Sequence, residues 1–167
     1  MISPAFAHTM ARYNRWQNSS LYTAADSLAA EARTQNRGAF FGSIHATLAH
    51  ILWADQVWIS RFAGTAPVSA TSNQGRGDDY ADWSKLRAER ERYDDLILNW
   101  SEQLTADWLA ADFTWSNIAG TRTTTRPAWK LVAHMFNHQT HHRGQAHAML
   151  TSVGAVPEDT DLFLLPD

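Results

Sequence analysis

A histidine-rich segment near the carboxyl end constrains this chain more than any other feature of its sequence. Residues 134–147 hold five of the eight histidines, and His134, His138 and His142 follow one another at intervals of four residues. In a helix, this interval places side chains above one another on the same face. Neutral imidazole is the commonest protein ligand for transition metals. The segment therefore predicts a helix that carries part of a metal site.

A helical wheel separates the histidines of this segment by the face on which they lie. His138 and His142 share an inward apolar stripe with Leu131, Met135, Gln145 and Met149. A buried imidazole needs a polar partner, and one metal ion would satisfy two imidazoles on the same stripe. His134 and His141 lie at the edge of the stripe, where they would orient the ligands or bind water. His147 points away, so an ordinary hydrogen bond is expected there.

A third ligand must come from another helix, and the segment 41–62 offers two histidines. His50 shares its face with Ala46, Trp53, Ala54 and Val57. The small alanine side chains beside it leave room for an ion. His45 instead lies among polar residues at the start of that helix, so we favour His50. Three protein nitrogens leave open positions on the ion, as in catalytic zinc sites. Zinc, nickel, iron and cobalt all suit such a donor set.

The pattern of apolar residues and helix signals predicts an all-α protein. Ser3-Pro4 has the form of an N-cap with proline at the first helical position. Four long helices are expected at about 4–32, 41–62, 83–109 and 126–153. A loop over 63–79 and a small β-hairpin or extended excursion over 112–125 separate the later helices. We expect one domain over residues 1–167, a four-helix bundle, with a tail packed by Leu162, Phe163 and Leu164.

Composition excludes several classes of function. The formal net charge is −3 and no basic tract is present, so nucleic acid is not expected as a partner. The absence of cysteine excludes disulfides, thiolate metal sites and a cysteine nucleophile. The amino terminus has no signal-peptide pattern, and no apolar run approaches the length of a membrane span. A cytoplasmic protein without a membrane partner is therefore expected.

Around the ion we expect an outer group that orients the ligands or lines a pocket. This group comprises His134, His141, Tyr13, Trp53 and Gln145, with Trp16 as a further pocket residue. For Tyr13 and Gln17, ordinary core packing is at least as good an interpretation. Asp55 lies five residues after His50 and points to another face. Arg143 lies largely off the ligand stripe, which indicates a salt bridge or a dimer contact.

Three segments carry a resemblance to a known family. They are Ala11–Asn18, Phe40–Asp55 and His134–Gln145, and Thr160–Leu162 also fits. On these residues the chain resembles the DinB family, within the DinB/YfiT-like metalloenzymes, over nearly its whole length. The resemblance implies an up-down-down-up four-helix bundle, usually a homodimer, with one divalent transition metal ion per chain, most often nickel or zinc. It also implies His50, His138 and His142 as the metal ligands.

The resemblance leaves the reaction open. Characterised relatives include a mycothiol-dependent maleylpyruvate isomerase and transferases that use thiols such as bacillithiol, while many members have no established activity. One hypothesis is a metal-dependent enzyme, a hydrolase or thiol S-transferase acting in stress or detoxification, which activates water or a low-molecular-weight thiol against a small-molecule substrate. The alternatives are a non-catalytic metal-binding homodimer and a metal-free helical interaction module. Fold and family alone do not choose among these.

Overall fold

The computed structural model of the chain describes residues 1–65 and 80–166, so the predicted loop over 63–79 lies almost wholly outside the described residues. The elements in chain order are α1 (Pro4–Asp26), α2 (Ala30–Thr34), α3 (Ile44–Ala63), α4 (Trp83–Glu102), α5 (Ala106–Ala110), β1 (Asp112–Ser116), β2 (Thr123–Pro127) and α6 (Ala128–Thr151). A short 3-10 helix, Leu162–Leu164, follows near the carboxyl end.

The four long helices form a bundle in which each one contacts two others extensively. Helix α1 packs against α4 and α6, and α3 packs against the same two helices. Consequently α1 and α3, the first two long helices along the chain, face each other across the bundle. Strands β1 and β2 pair antiparallel, with Trp115 opposite Thr124. The predicted fold class, a helical bundle with a small hairpin before the last helix, is confirmed.

Serine caps determine where two of the long helices begin. The Ser3 hydroxyl oxygen accepts a hydrogen bond from the backbone N–H of Phe6 at 3.1 Å, and Ser43 caps α3 in the same way through Ala46 at 3.1 Å. Gly42, just before this cap, has a φ of 83°, which a side chain would disfavour. The predicted start of the second helix at residue 41 is therefore corrected to Ile44, and Phe41 lies in the preceding turn.

The first helix is shorter than predicted, since it ends at Asp26 rather than near residue 32. The chain then turns and forms α2 as a separate short helix. The Arg33 guanidinium folds back and donates to the carbonyl oxygen of Ala25, in the last turn of α1, and to that of Leu28, just beyond the helix. The Ala25 carbonyl also accepts from the backbone N–H of Leu28, so both contacts hold the turn that follows α1. No glycine or proline marks this break, so the apolar pattern of the sequence runs through it.

The third and fourth long helices also begin or end at residues other than those predicted. The third was expected over 83–109, but α4 ends at Glu102 and α5 begins after Thr105, whose hydroxyl accepts from the N–H of Trp108 at 3.1 Å. The fourth was expected from about 126, but β2 continues through Pro127 and α6 begins at Ala128. A local hydrogen-bonded structure therefore ends the third helix early, and the pairing of β2 delays the start of the fourth.

The carboxyl-terminal tail is held by polar contacts rather than by the predicted apolar packing. Phe163 is 84% exposed, so it does not anchor the tail. Instead, the tail backbone meets α1: Gln17 donates to the carbonyl oxygen of Asp159 at 2.9 Å, and the N–H of Glu158 donates to Ser20 at 2.8 Å. Across the described residues, no helix combines the length and apolar character that crossing a membrane requires.

Candidate metal centre

Helices α3 and α6 bring three histidines together inside the bundle. One ring nitrogen from each of His50, His138 and His142 lies within 4.8 Å of the other two. The Nε2 atoms of His50 and His138 are 3.2 Å apart. Two nitrogens bound tetrahedrally to one zinc ion, each at about 2.0–2.1 Å, would be separated by about 3.3 Å. The observed spacing therefore fits a shared ion, and the predicted residues are the ones that converge.

Aromatic packing fixes the orientation of these imidazoles. The Phe41 ring stacks on His50 with 3.8 Å between ring centroids, and it meets the His142 ring edge-on at 5.2 Å. Trp53 contacts the His50 ring at 5.7 Å. Phe41 lies in the tight turn that Ala39 and Gly42 close just before α3, and this turn directs its ring at the histidines. Its role could not be read from the sequence, since the apolar pattern placed Phe41 within the helix.

The surroundings keep His138 and His142 neutral, as metal ligation requires. Burial lowers the pKa of His138 to about 3, and the nearby rings of His142 and His50 add to the shift because each would repel a second positive charge. Burial also lowers the pKa of His142. Both residues therefore offer lone pairs rather than N–H groups to an ion across the neutral pH range.

Gln145 sets the tautomer of His142. Its side-chain oxygen Oε1 accepts a hydrogen bond from Nδ1 of His142 at 2.8 Å, so the Nε2 atom carries the free lone pair. The amide nitrogen of Gln145 in turn donates to Nε2 of His141 at 3.3 Å. Gln145 and His141 thus lie beside the ligand group, and Gln145 acts on a ligand directly. Such outer hydrogen bonds commonly orient metal-binding imidazoles.

His134 lies on the opposite side of the group from Gln145. Its ring is 5.9 Å from the His138 ring and 5.4 Å from Trp58, measured between centroids. Burial lowers the pKa of His134, so this imidazole is also neutral near pH 7. Its side chain lines the cavity described next, beside the ligand group.

A cavity of about 390 Å³ opens beside two of the three histidines. Its walls come from α3, α6 and the hairpin: His50, Trp53, Ala54, Val57, Trp58, Arg61, Trp115, Asn117, Ile118, Ala119, His134 and His138. Trp53 lies there, as expected. The sequence analysis did not predict Trp58 and Arg61 as lining residues. They follow His50 by eight and eleven residues, a spacing that places them on the same helix face. The hairpin's contribution had no local signal in the sequence.

Tyr13 and Trp16 lie elsewhere, which corrects the expectation that they line this pocket. The Tyr13 hydroxyl donates to the carbonyl oxygen of Thr160 at 2.6 Å, and Trp16 Nε1 donates to the Glu158 carboxylate at 2.7 Å. The carboxyl-terminal tail therefore occupies this face of α1. Tyr13 lines a separate cavity of about 400 Å³ between α1 and α6.

A buried polar network lies behind the three converging histidines, and the sequence analysis did not predict it. Arg90 of α4, only 2% exposed, forms ion pairs with Asp55 of α3 at 2.6 Å and with Asp94 at 2.9 Å. Asp94 accepts from Asn18 of α1 at 2.8 Å. Gln139 of α6 donates to Asp55 at 2.7 Å. Burial raises the pKa of both carboxyl groups, while the Arg90 charge opposes that shift.

Arg143 joins this network through hydrogen bonds, whereas a salt bridge or a dimer contact was expected there. The side chain is buried, and its guanidinium donates to the Asn14 side-chain oxygen and to the Thr140 hydroxyl. It also lies over the Tyr13 ring, 5.5 Å from the centroid. The face of α6 that carries Arg143 is therefore buried too, because α1 packs against it.

Known proteins share both the sequence pattern and the fold. The model of the DinB family matches residues 1–167. Protein DinB of Bacillus subtilis (strain 168) is 28% identical over 167 residues, which cover 95% of this chain and 94% of that protein. The crystal structure of a DinB-like protein from Bacillus cereus ATCC 10987 superposes with a TM-score of 0.63 at 16% identity, covering 86% of this chain and 90% of the other. The chain belongs to the DinB family.

Proposed function

We propose that this protein binds one divalent transition metal ion through His50, His138 and His142 and works as a metal-dependent enzyme. The observation that carries the proposal is the convergence of three imidazoles beside a cavity large enough for a small molecule. Nickel and zinc suit this set of three nitrogen donors. Membership of the DinB family supports the same interpretation.

The number of protein ligands favours catalysis over a purely structural ion. Structural zinc sites are usually closed by four protein ligands, whereas catalytic sites keep a position open. No fourth histidine, aspartate or glutamate joins the group in the part of the chain that the structure describes. When bound, an ion of this kind lowers the pKa of water or of a thiol and so supplies a nucleophile at neutral pH.

The residues of the chain have separable tasks in this proposal. Trp53 and Trp58 offer flat apolar surfaces on which a small-molecule substrate can lie. Gln145 holds the Nδ1 proton of His142 and thereby keeps its Nε2 lone pair directed at the ion. The reaction class is hydrolysis or S-transfer from a low-molecular-weight thiol, with a role in stress or detoxification inside the cytoplasm.

A second candidate is a metal-binding homodimer without catalytic activity. The observation in its favour is the lack of a carboxylate base: no aspartate or glutamate of the described residues lines the cavity. His134 is then the only neutral imidazole outside the ligand set that borders the cavity within the described residues. Activity with small substrates separates the two candidates.

The first experiment is elemental analysis of the protein purified without a histidine tag, with thermal melting in zinc, nickel, manganese or a chelator. One ion per chain and a melting temperature lowered by the chelator are expected. The loaded protein is then assayed with p-nitrophenyl acetate for hydrolysis, and with cysteine and 1-chloro-2,4-dinitrobenzene for thiol transfer. Absence of any ion together with no melting shift would overturn the proposal. Metal binding without either activity would favour the non-catalytic homodimer.

A further inference from the structure

We propose that the cavity beside the three histidines accepts an elongated apolar molecule with a carboxylate at its far end, and that Arg61 binds this carboxylate. The inference rests on the proposed function for the near end of the ligand, where the ion would lie. Arg61 becomes the residue that determines which small molecules the site selects.

Arg61 lies at the cavity wall and has no carboxylate partner among the described residues. Its guanidinium lies over the Trp58 ring, 4.9 Å from the centroid, and Nη2 donates to the carbonyl oxygen of Ser116 at 3.2 Å. No carboxylate of residues 1–65 or 80–166 forms an ion pair with it. The ring and the carbonyl fix the guanidinium plane, and the remaining N–H donors suit the two oxygens of a carboxylate.

Positive charge favours an anionic group at both ends of the cavity, beside the proposed ion and beside Arg61. Within the described residues, its lining contains an arginine and three histidines but no aspartate or glutamate. Imidazole ligands carry no negative charge, so three of them would leave the full positive charge of a divalent ion uncompensated. Partial burial lowers the pKa of Arg61, which shows that water solvates this cation incompletely. A cleft that presents positive charge of this kind attracts and retains anionic ligands.

The shape of the cavity sets the length of the ligand. Trp58 follows His50 by eight residues on the same face of α3, a separation of about 12 Å along the helix axis. Arg61 reaches back over Trp58, as helical side chains lean toward the amino terminus. Trp53, Trp58 and Trp115 line the space between the two ends. A molecule with two linked aromatic rings, or an apolar chain of similar length, matches this span.

A matched pair of probes tests the inference on the zinc-loaded protein. The charged probe is 4′-carboxybiphenyl-4-carbohydroxamic acid, whose hydroxamate is a metal-binding group. The neutral probe is the same molecule with a carboxamide in place of the carboxylate. Isothermal titration calorimetry gives the dissociation constants of both probes for the wild-type protein, for Arg61→Gln and for Arg61→Lys. Arg15→Gln removes the same charge at an exposed site on α1 and serves as the control.

The wild-type protein and Arg15→Gln are expected to bind the charged probe about tenfold more tightly than the neutral one. Arg61→Gln should abolish this preference, and Arg61→Lys should retain part of it. Equal affinities for the two probes in the wild-type protein, an unchanged preference in Arg61→Gln, or binding of neither probe would overturn the inference. Metal stoichiometry measured without any probe tests the proposed function separately, so the two ideas can fail independently.

Discussion

Gln139, the residue directly after His138, donates a hydrogen bond to the buried Asp55 carboxylate at 2.7 Å. Asp55 lies five residues after His50 on α3 and is held from its other side by Arg90 of α4. The two helices that carry the metal ligands are therefore joined just behind the ligand group. This polar connection fixes their separation independently of any ion.

Replacing Asp55 by alanine should lower the free energy of unfolding by about 3–5 kcal/mol, because Arg90 would stay buried after losing one of its two carboxylate partners. The Gln139 amide would also lose its acceptor. Urea unfolding followed by circular dichroism gives this free energy, provided that the dependence on urea concentration stays constant.

An exposed ion pair serves as the control for the Asp55 prediction. Arg15 and Asp95 are 3.3 Å apart, and their side chains are 55% and 61% exposed. Arg15→Ala should change the free energy of unfolding by at most about 1 kcal/mol. If Asp55→Ala were no more costly than Arg15→Ala, the buried network would not be the support inferred for it.

Removing a metal ligand should remove the ion. Both His50→Ala and His142→Ala are expected to lose bound metal and to melt at a lower temperature than the loaded wild-type protein, because metal binding is coupled to folding. Elemental analysis and thermal melting measure the two effects. His147→Ala, outside the ligand group, should keep the ion, and full occupancy in either ligand variant would contradict the assigned set.

Gln145→Leu should weaken metal affinity about 10- to 100-fold while leaving the ligands in place, since His142 would lose the acceptor that fixes its tautomer. Competition with a chromophoric chelator measures the affinity. Gln145→Glu provides the matched variant, because a carboxylate can still accept from Nδ1 and should retain tight binding. Equal affinities in the leucine variant and the wild-type protein would show that the hydrogen bond has no effect on the ion.

The chelator-treated protein should lose stability through His138 as the pH falls. The pKa of His138 is lowered from 6.5 to about 3 in the folded protein. Between these values the unfolded chain binds a proton that the folded chain does not, so the free energy of unfolding decreases toward pH 3.

Comparison with His138→Gln isolates the His138 contribution. The raised pKa values of Asp55 and Asp94 act in the opposite direction, because these carboxyl groups bind protons more readily in the folded state. They are present in both proteins and cancel in the difference. Urea unfolding at several pH values should show a smaller loss toward acid in the variant, and parallel curves would contradict the assignment.

Periodicity was sufficient to predict the long helices and the convergence of His50, His138 and His142. His138 and His142 repeat at the helical interval, and His50 has small neighbours on its own face, so the amphipathic pattern places all three inward. The ends of helices were harder to predict. The break after Asp26 depends on Arg33, which folds back onto α1, and a tertiary contact of this kind leaves no trace in local propensity.

The buried charges show a different limit of sequence reasoning. Arg90 lies in a stretch of alternating charges that reads as a solvated helix face, yet it is almost completely buried. Its partner Asp94 lies one turn further along the same helix, but Asp55 comes from α3 and is itself bound by Gln139 of α6. A wheel drawn for α4 alone cannot show that two other helices complete this network. The same reason explains the missed wall of the cavity, since Trp115 reaches it from the hairpin.

The hairpin gives this architecture a part that can vary independently. Strands β1 and β2 pair only with each other within the described sheet, and Asn117, Ile118 and Ala119 at the turn border the cavity. Substitutions or insertions at this turn leave the helix packing untouched, because loop positions carry little of the stability of a domain. Divergence among related chains can therefore reshape the roof of the cavity and change its ligand, while the histidines beneath stay the same.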